Sequence, residues 1–317
     1  MTVVLVTGAS GFVGSALCVA LNSQGHRVRC AVRRLPDRPQ FPSFAVGDIG
    51  PHTAWSAALS GCEAVVHLAA HVHVMRPQSG EGVGDYLRVN VEGSERLARE
   101  AARAGVRRFV FLSSVKVNGE ASGERPFVEC DPDMPTDAYG ESKAEAERRL
   151  RSISEQSGME IVILRPPLIY GAGVKANFLS LLRTVDAGVP LPFLWIDNRR
   201  SLIYVGNLAH ALEACLTDRA AANRTFFVSD DSDLSTPQLI KEIAAALGKR
   251  PLLFPVPPAL LRGIGAIAGR AEQVARLTGS LQVDVKSIKT ALDWRPPFSV
   301  QQGLAHTVSW YRSLRPR

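Results

Sequence analysis

Short, densely apolar runs alternate along this chain with longer segments whose apolar positions recur every three to four residues. Residues 2–6 are apolar and β-branched, the pattern of a strand buried on both faces. Similar runs follow at 26–34, 44–49, 64–70, 108–112 and 160–164, with helical periodicity between them, notably over 12–23 and 138–157. Such alternation predicts βαβ units and a parallel sheet. Beyond about residue 170 the texture changes. Prolines gather at 190–192 and 251–258, and helices are expected near 176–187, 236–247, 258–269 and 299–313. The expected architecture is α/β: a doubly wound parallel sheet over 1–170, with some later segments returning to it, and a smaller, mostly helical substrate lobe over 171–317.

Composition narrows the partners. The net charge is +7, but basic residues come as scattered pairs such as Arg107-Arg108, Arg148-Arg149 and Arg199-Arg200. No basic run interleaved with aromatics appears, so nucleic acid is not an expected partner. A positive balance suits doubly anionic ligands. No stretch approaches the ~20 apolar residues of a membrane span. Residues 259–268 are apolar but carry Arg262 and end at Arg270, and read as a packed helix rather than an anchor. Five scattered cysteines without a C-x-x-C pair, and a first strand that starts at once, lead to the expectation of a cytoplasmic protein without a signal peptide.

The first strand runs into Gly8-Ala9-Ser10-Gly11-Phe12-Val13-Gly14. Glycines at this spacing between a strand and a helix permit a tight turn, close approach to a pyrophosphate and close helix packing, the dinucleotide-binding (Rossmann) arrangement. Gly8, Gly11, Phe12, Val13 and Gly14 are therefore expected at the cofactor, on the anion-favouring helix N-terminus. In NAD-binding units an acid ends the second strand. Here Val32 is followed by Arg33 and Arg34. A guanidinium fork suits a 2′-phosphate, so NADP(H) is expected to be preferred, with NAD(H) possible. Asp48 is placed either to accept from an adenine amino group, with Ile49 against the ring, or to cap a helix beginning near Thr53. Leu68, Ala69 and Ala70 end the fourth strand with little bulk near the cofactor.

The catalytic candidates lie downstream. Ser113-Ser114 closes the 108–112 strand, at the edge where parallel sheets bind ligands. Tyr139 and Lys143 share a helix face one turn apart. An ammonium beside a phenol lowers the phenol's pKa from ~10 and suits it to proton transfer. His71-Val72-His73 has no Cys, Asp or Glu at ligand spacing, so no metal is expected; a loop lining the cleft is the reading.

These residues resemble the extended short-chain dehydrogenase/reductases, of the epimerase/dehydratase kind that acts on nucleotide sugars. The resemblance covers nearly the whole chain. It implies a triad of Ser114, Tyr139 and Lys143, with Lys143 also bonding the nicotinamide ribose, Asn90 propping the site, and Pro166 in Arg165-Pro166-Pro167 beside the nicotinamide. It implies substrate contacts at Ser114, Lys116, Asn177, Arg200 and Arg276, with Asp284 near a nucleotide-contacting position, and a homodimer built on the helices near 90–104 and 138–157. The missing acid after the second strand, and only about thirty residues between Tyr170 and Arg200, look most like reductases of UDP-4-keto-6-deoxy-N-acetylhexosamines in O-antigen synthesis. The leading expectation is thus hydride transfer from NADPH to the 4-keto group of a UDP-sugar. The alternatives are a UDP-hexose 4-epimerase with tightly bound NAD, a ketone reductase of the dihydroflavonol type, and a nucleotide-sensing protein on this fold.

Overall fold

The computed structural model describes residues 1–72, 83–269 and 271–314; His73 and Arg270 lie outside them. The chain runs through β1 (Val3–Thr7), α1 (Phe12–Ser23), β2 (Arg27–Val32), β3 (Ser43–Ala45), α2 (Ser56–Leu59) and β4 (Ala64–His67). A continuous helical stretch follows: α3 (Val83–Tyr86), a wider π-wound turn at Leu87–Glu92, and α4 (Gly93–Arg103). Next come β5 (Arg108–Leu112), α5 (Ala138–Ser157), β6 (Glu160–Arg165), β7 (Leu168–Tyr170), α6 (Ala176–Asp186), β8 (Leu202–Tyr204), α7 (Val205–Thr217) and β9 (Thr225–Phe227). The chain closes with α8 (Thr236–Ala246), α9 (Pro258–Ile267), α10 (Ala271–Thr278), α11 (Lys286–Leu292) and α12 (Val300–Ser313).

Seven parallel strands form the main sheet in the order β3-β2-β1-β4-β5-β6-β9. The order reverses between β1 and β4, so their C-terminal ends flank the crevice where such sheets bind ligands. Alternate strand residues serve opposite faces. Val4, Val6, Val66, Val110 and Val162 pack with residues of α1 and α7, whereas Leu5, Val65, Phe109, Phe111 and Ile161 pack with residues of α4 and α5. Burial on both faces explains why these strands are apolar throughout. The doubly wound sheet expected from the sequence is present. β9 and α7 belong to it despite their late position, and β7 and β8 form a separate two-stranded parallel sheet.

Local chemistry sets the helix ends. The Asp137 carboxylate accepts from the Gly140 amide at 2.7 Å, and Gly158 ends α5 at φ 73°. Reciprocal Ser–Gln caps, Ser235 with Gln238 and Ser299 with Gln302, begin α8 and α12. The second lobe has its own core, in which Tyr170, Phe178, Leu182, Ile243 and Leu304 are buried. α9 packs on the lobe core through Leu261, with Gly265 also buried, while Ile267 is 91% exposed. Cys130 is exposed, and all five cysteines are free thiols. No described helix is long and apolar enough to cross a membrane.

Candidate active site

The glycine turn fits a dinucleotide on steric grounds. Gly8 lies at φ +66°, where a Cβ would come within 2.9 Å of the Ala69 amide nitrogen. A Cβ on Gly14 would approach the Gly8 carbonyl oxygen to 2.1 Å. The turn is closed by the Gly11 amide donating to the Gly8 carbonyl at 2.9 Å. α1 then starts at Gly11 with no side-chain cap, which leaves its positive end to an anion. Phe12 and Val13 also pack against the second lobe, and Phe12 lies beside Gly173. Gly8, Gly11, Phe12, Val13, Gly14, Leu68, Ala69 and Ala70 thus meet at the ends of β1 and β4. Thr7 holds them, its hydroxyl accepting from the Leu68 and Ala69 amides at 3.2 Å each.

At the exits of β2 and β3 two of the cofactor candidates pair with each other. Arg33 is paired with Asp48 at 2.8 Å, both exposed, so in this structure its fork faces a carboxylate. Asp48 does not cap a helix at Thr53: α2 begins at Ser56, and the Asp48 carbonyl accepts from the Thr53 hydroxyl at 3.1 Å. Ile49 packs over Gly93, where a Cβ would meet its Cγ2 at 2.6 Å. Arg34 is exposed. A cleft of about 710 Å³ lined by Val46, Asp48, Thr53, Leu87 and Arg88 opens beside this pair.

The catalytic candidates converge at the end of β5. Lys143 is 2% exposed, which rules out a surface Tyr–Lys pair. Its ammonium donates to the Leu112 carbonyl at 2.9 Å and sits 4.4 Å from the centre of the Phe111 ring and 5.9 Å from that of Tyr139. Burial pushes the Lys143 pKa down to about 7, against the opposing pull of the Glu147 carboxylate. Burial, with added repulsion from Asp137 and Tyr86, pushes the Tyr139 phenol above its ordinary value. This corrects the expectation that Lys143 acidifies the phenol. Desolvation is the largest cause of the rise, and the lysine's donor is engaged by the Leu112 carbonyl. Ser114 begins the turn at Val115–Val117, its hydroxyl accepting from the Lys116 amide at 3.2 Å. The Pro166 carbonyl accepts from the Val115 amide at 3.0 Å, which ties β6's exit to this turn.

Asn90 behaves as a brace. Its side chain accepts from the His71 amide at 2.7 Å and donates to the His71 carbonyl and to the Ser142 hydroxyl, each at 2.9 Å. It joins the loop after β4 to α5. The His71 ring meets Tyr86 edge-on, and Tyr86 meets Tyr139. Behind them Thr7, His67 and Ser94 form a buried chain, with Thr7 Oγ1 2.6 Å from His67 Nδ1 and Ser94 Oγ 2.9 Å from Nε2. Burial and the nearby Lys143 charge push the His67 pKa down to about 3. Among the described residues no group of His, Cys, Asp and Glu could hold a metal.

The substrate-side candidates find partners within the chain. Arg200 donates to the carbonyls of Arg276 and Gly279, at 2.6 and 3.0 Å, so this guanidinium nitrogen clamps the end of α10 rather than facing an open cleft. Arg276 pairs with Glu120 at 3.2 Å, and Lys116 bridges Glu120 and Asp137. This charge chain connects the turn after β5, the start of α5 and α10. Asn177 is exposed in the first turn of α6. Asp284 accepts from the Lys286 amide at 2.7 Å, in the turn before α11.

Sequence reasoning missed the buried supports. Glu147 accepts from Ser113 at 2.5 Å, from Arg165 Nε and Nη2 at 2.9 and 2.6 Å, and from Arg151 at 2.8 Å. Asp230 accepts from the Tyr204 amide, Asn207 and the Tyr170 hydroxyl. Asn198 donates to the carbonyls that end α10. Charged residues four apart on a helix, such as Lys143 and Glu147, were the one available signal for the first.

With this geometry in view, comparison with known proteins is decisive. The model of the NAD dependent epimerase/dehydratase family matches residues 4–228. The chain belongs to that family. The chain is similar to a UDP-glucose 4-epimerase of Vibrio cholerae, 42% identical over 317 residues, spanning 99% of this chain and 97% of the relative. The N-acetyl-alpha-D-glucosaminyl-diphospho-ditrans,octacis-undecaprenol 4-epimerase of Escherichia coli O157:H7 is 28% identical, over 97% and 94% of the two chains. Among solved structures, MoeE5 in complex with UDP-glucose and NAD superposes with a TM-score of 0.78 at 27% identity, over 99% of this chain and 100% of the other. The protein is an enzyme of the epimerase/dehydratase family. The family relatives favour the epimerase alternative over the reductase expected from the sequence.

Proposed function

We propose that the protein is a UDP-hexose 4-epimerase that holds NAD(H) tightly. The observation that carries this reading is whole-length likeness, at 42% identity, to a UDP-glucose 4-epimerase. The steric fit of the glycine turn supports a resident dinucleotide across Gly8–Gly14, with Leu68, Ala69 and Ala70 on the adjoining strand end. A bound nicotinamide would supply reversible hydride exchange with the sugar C4. Tyr139 would take the proton of the 4-hydroxyl and return it after the keto sugar turns over in the site. Ser114 would orient that oxygen, and Lys143 would steady the charge that builds there. To act as base Tyr139 must first release its phenolic proton to solvent, and the Lys143 ammonium, 5.9 Å from the ring centre, would favour that phenolate. Asn177, Arg276, Lys116 and Arg200 are the proposed diphosphate side, with Arg200 acting through the placement of α10.

Incubation of the purified enzyme with UDP-glucose, without added cofactor, should yield UDP-galactose with no net nucleotide consumption. NAD should be released when the protein is denatured. Failure of both would overturn the proposal.

A second reading has its own support: the absence of an acid at the end of β2, where Arg33 and Arg34 stand. Under it the enzyme reduces a UDP-4-keto sugar with NADPH for O-antigen or related polysaccharide synthesis, and Arg33 leaves Asp48 for the 2′-phosphate. Stoichiometric NADPH oxidation by a UDP-4-keto-6-deoxy sugar would favour it. For either reading the proposed assembly is a homodimer through α4 and α5, acting in the cytoplasm.

A further inference from the structure

The second lobe carries an apolar surface that the reaction does not use. Residues 189–195 lie beside 252–254: the Leu191 amide donates to the Leu252 carbonyl at 2.8 Å, and the Phe254 amide to the Leu191 carbonyl at 3.1 Å. Within these segments Phe193, Ile196 and Leu253 turn into the lobe core. Trp195, Leu252 and Phe254 stay outside, at 57%, 52% and 43% exposure. α9 follows directly and repeats the division. Leu261 packs into the same core, while Leu260, Ile264 and Ile267, at successive turns, are 54%, 54% and 91% exposed. Large aliphatic side chains at this exposure, gathered on adjoining segments, mark an interaction surface.

Its charge selects the occupant. Between Arg250 and Ala271 the charged residues are Arg250, Arg262 and Arg270, and residues 187–196 carry no charge; Lys249 is paired with Asp186 at 2.6 Å, and Asp197 and Glu272 flank the two segments. Arg250 and Arg262 are exposed. A twofold contact with a second copy would confront two surfaces of the same sign. A helix with exposed apolar side chains whose one charged residue is Arg262, preceded by the exposed Arg250, matches the interface of an anionic bilayer, where aliphatic groups enter the acyl boundary and arginines meet lipid phosphates. We propose that α9, together with Trp195, Leu252 and Phe254 on the paired segments that lead into it, docks the enzyme on the surface of an anionic phospholipid membrane. α10, whose end is held by Arg200, leads from that face to the charge chain beside the catalytic turn, so docking would set the substrate side near the lipid surface.

Flotation of the full chain with phosphatidylcholine vesicles, with and without phosphatidylglycerol, tests this independently of turnover. The expected result is binding to the anionic vesicles, weaker binding to the neutral ones, and release as salt is raised. The Ile264→Ser/Ile267→Ser variant should lose on the order of tenfold in bound-to-free ratio, from the apolar area withdrawn. Arg262→Glu should lose a similar factor on anionic vesicles alone. Both should keep the parent melting temperature and NAD affinity, because these side chains are exposed. Absence of binding to anionic vesicles, binding indifferent to both variants, or self-association through this face that the isoleucine variant abolishes would each overturn the proposal.

Discussion

The Lys143 ammonium donates to the carbonyl oxygen of Leu112, 2.9 Å away at the last residue of β5. This bond anchors the lysine to the strand that presents Ser114, so the face of α5 carrying Tyr139 is held to the sheet. Loss of Lys143 should therefore disturb both charge and position. Lys143→Met is expected to lower kcat on the order of a hundredfold or more, and Tyr139→Phe by a comparable factor, the usual worth of positioned acid–base groups. Steady-state kinetics with circular dichroism checks this. Full turnover by Tyr139→Phe would refute the assigned role.

Gly14→Ala should abolish dinucleotide binding. Its methyl group would sit 2.1 Å from the Gly8 carbonyl oxygen, an overlap that only backbone movement of the phosphate turn relieves. The readout is the rise in melting temperature on adding NAD, present in the parent and absent in the variant. Gly61→Ala serves as the contrast. That glycine has φ +70° but nothing within 4 Å of a Cβ, so its cost is local backbone strain of about 1–2 kcal/mol and NAD binding persists.

Glu147 and Arg165 form an ion pair with both side chains nearly inaccessible. Removing one partner strands a buried charge, which costs about 3–5 kcal/mol. Glu147→Leu alone should show that loss in urea unfolding. Pairing it with Arg165→Met should cost less than the sum of the two single changes, because neither of the two buried charges is then left facing an empty place; Arg151 and Asp133, which also lose a partner, are partly exposed. Strict additivity would show that the pair is not coupled.

His67 sets part of the acid sensitivity. Its folded pKa of about 3 lies below the ordinary 6.5, so between those pH values the unfolded chain binds the extra proton. Stability from this group is complete above about pH 6.5 and falls as pH drops toward 3. His67→Gln cannot titrate. Its melting temperature should decline less steeply than the parent's between pH 6.5 and 4, and parallel curves would exclude the effect.

Arg33→Ser separates the two cofactor readings. The Arg33–Asp48 pair is exposed and worth under about 1 kcal/mol, so NAD affinity should change less than about fivefold. If NADP(H) is the true partner, NADP affinity should fall at least tenfold, as expected for loss of a guanidinium–phosphate contact. Isothermal titration with each nucleotide distinguishes the outcomes.

Several features were legible without coordinates because they are local. The β1–glycine–α1 unit, the apolar strands and the one-turn spacing of Tyr139 and Lys143 follow from periodicity and steric rules acting within a few residues. Asn90's bracing role also emerged, through family resemblance. The tertiary structure alone decided which partner each charged group finds. Arg33 meets Asp48 across the β2–β3 exits, Arg200 turns to the end of α10, and Glu147 gathers Ser113, Arg151 and Arg165 behind the turn that follows β5. Apart from Glu147–Arg151, one helical turn apart, those pairings join residues 15 to 79 positions apart, and ionic and hydrogen-bond energies depend on distance and burial that no local pattern encodes. The phenol's rise and the exposure of α9 have the same origin: desolvation is set by what packs from elsewhere in the chain.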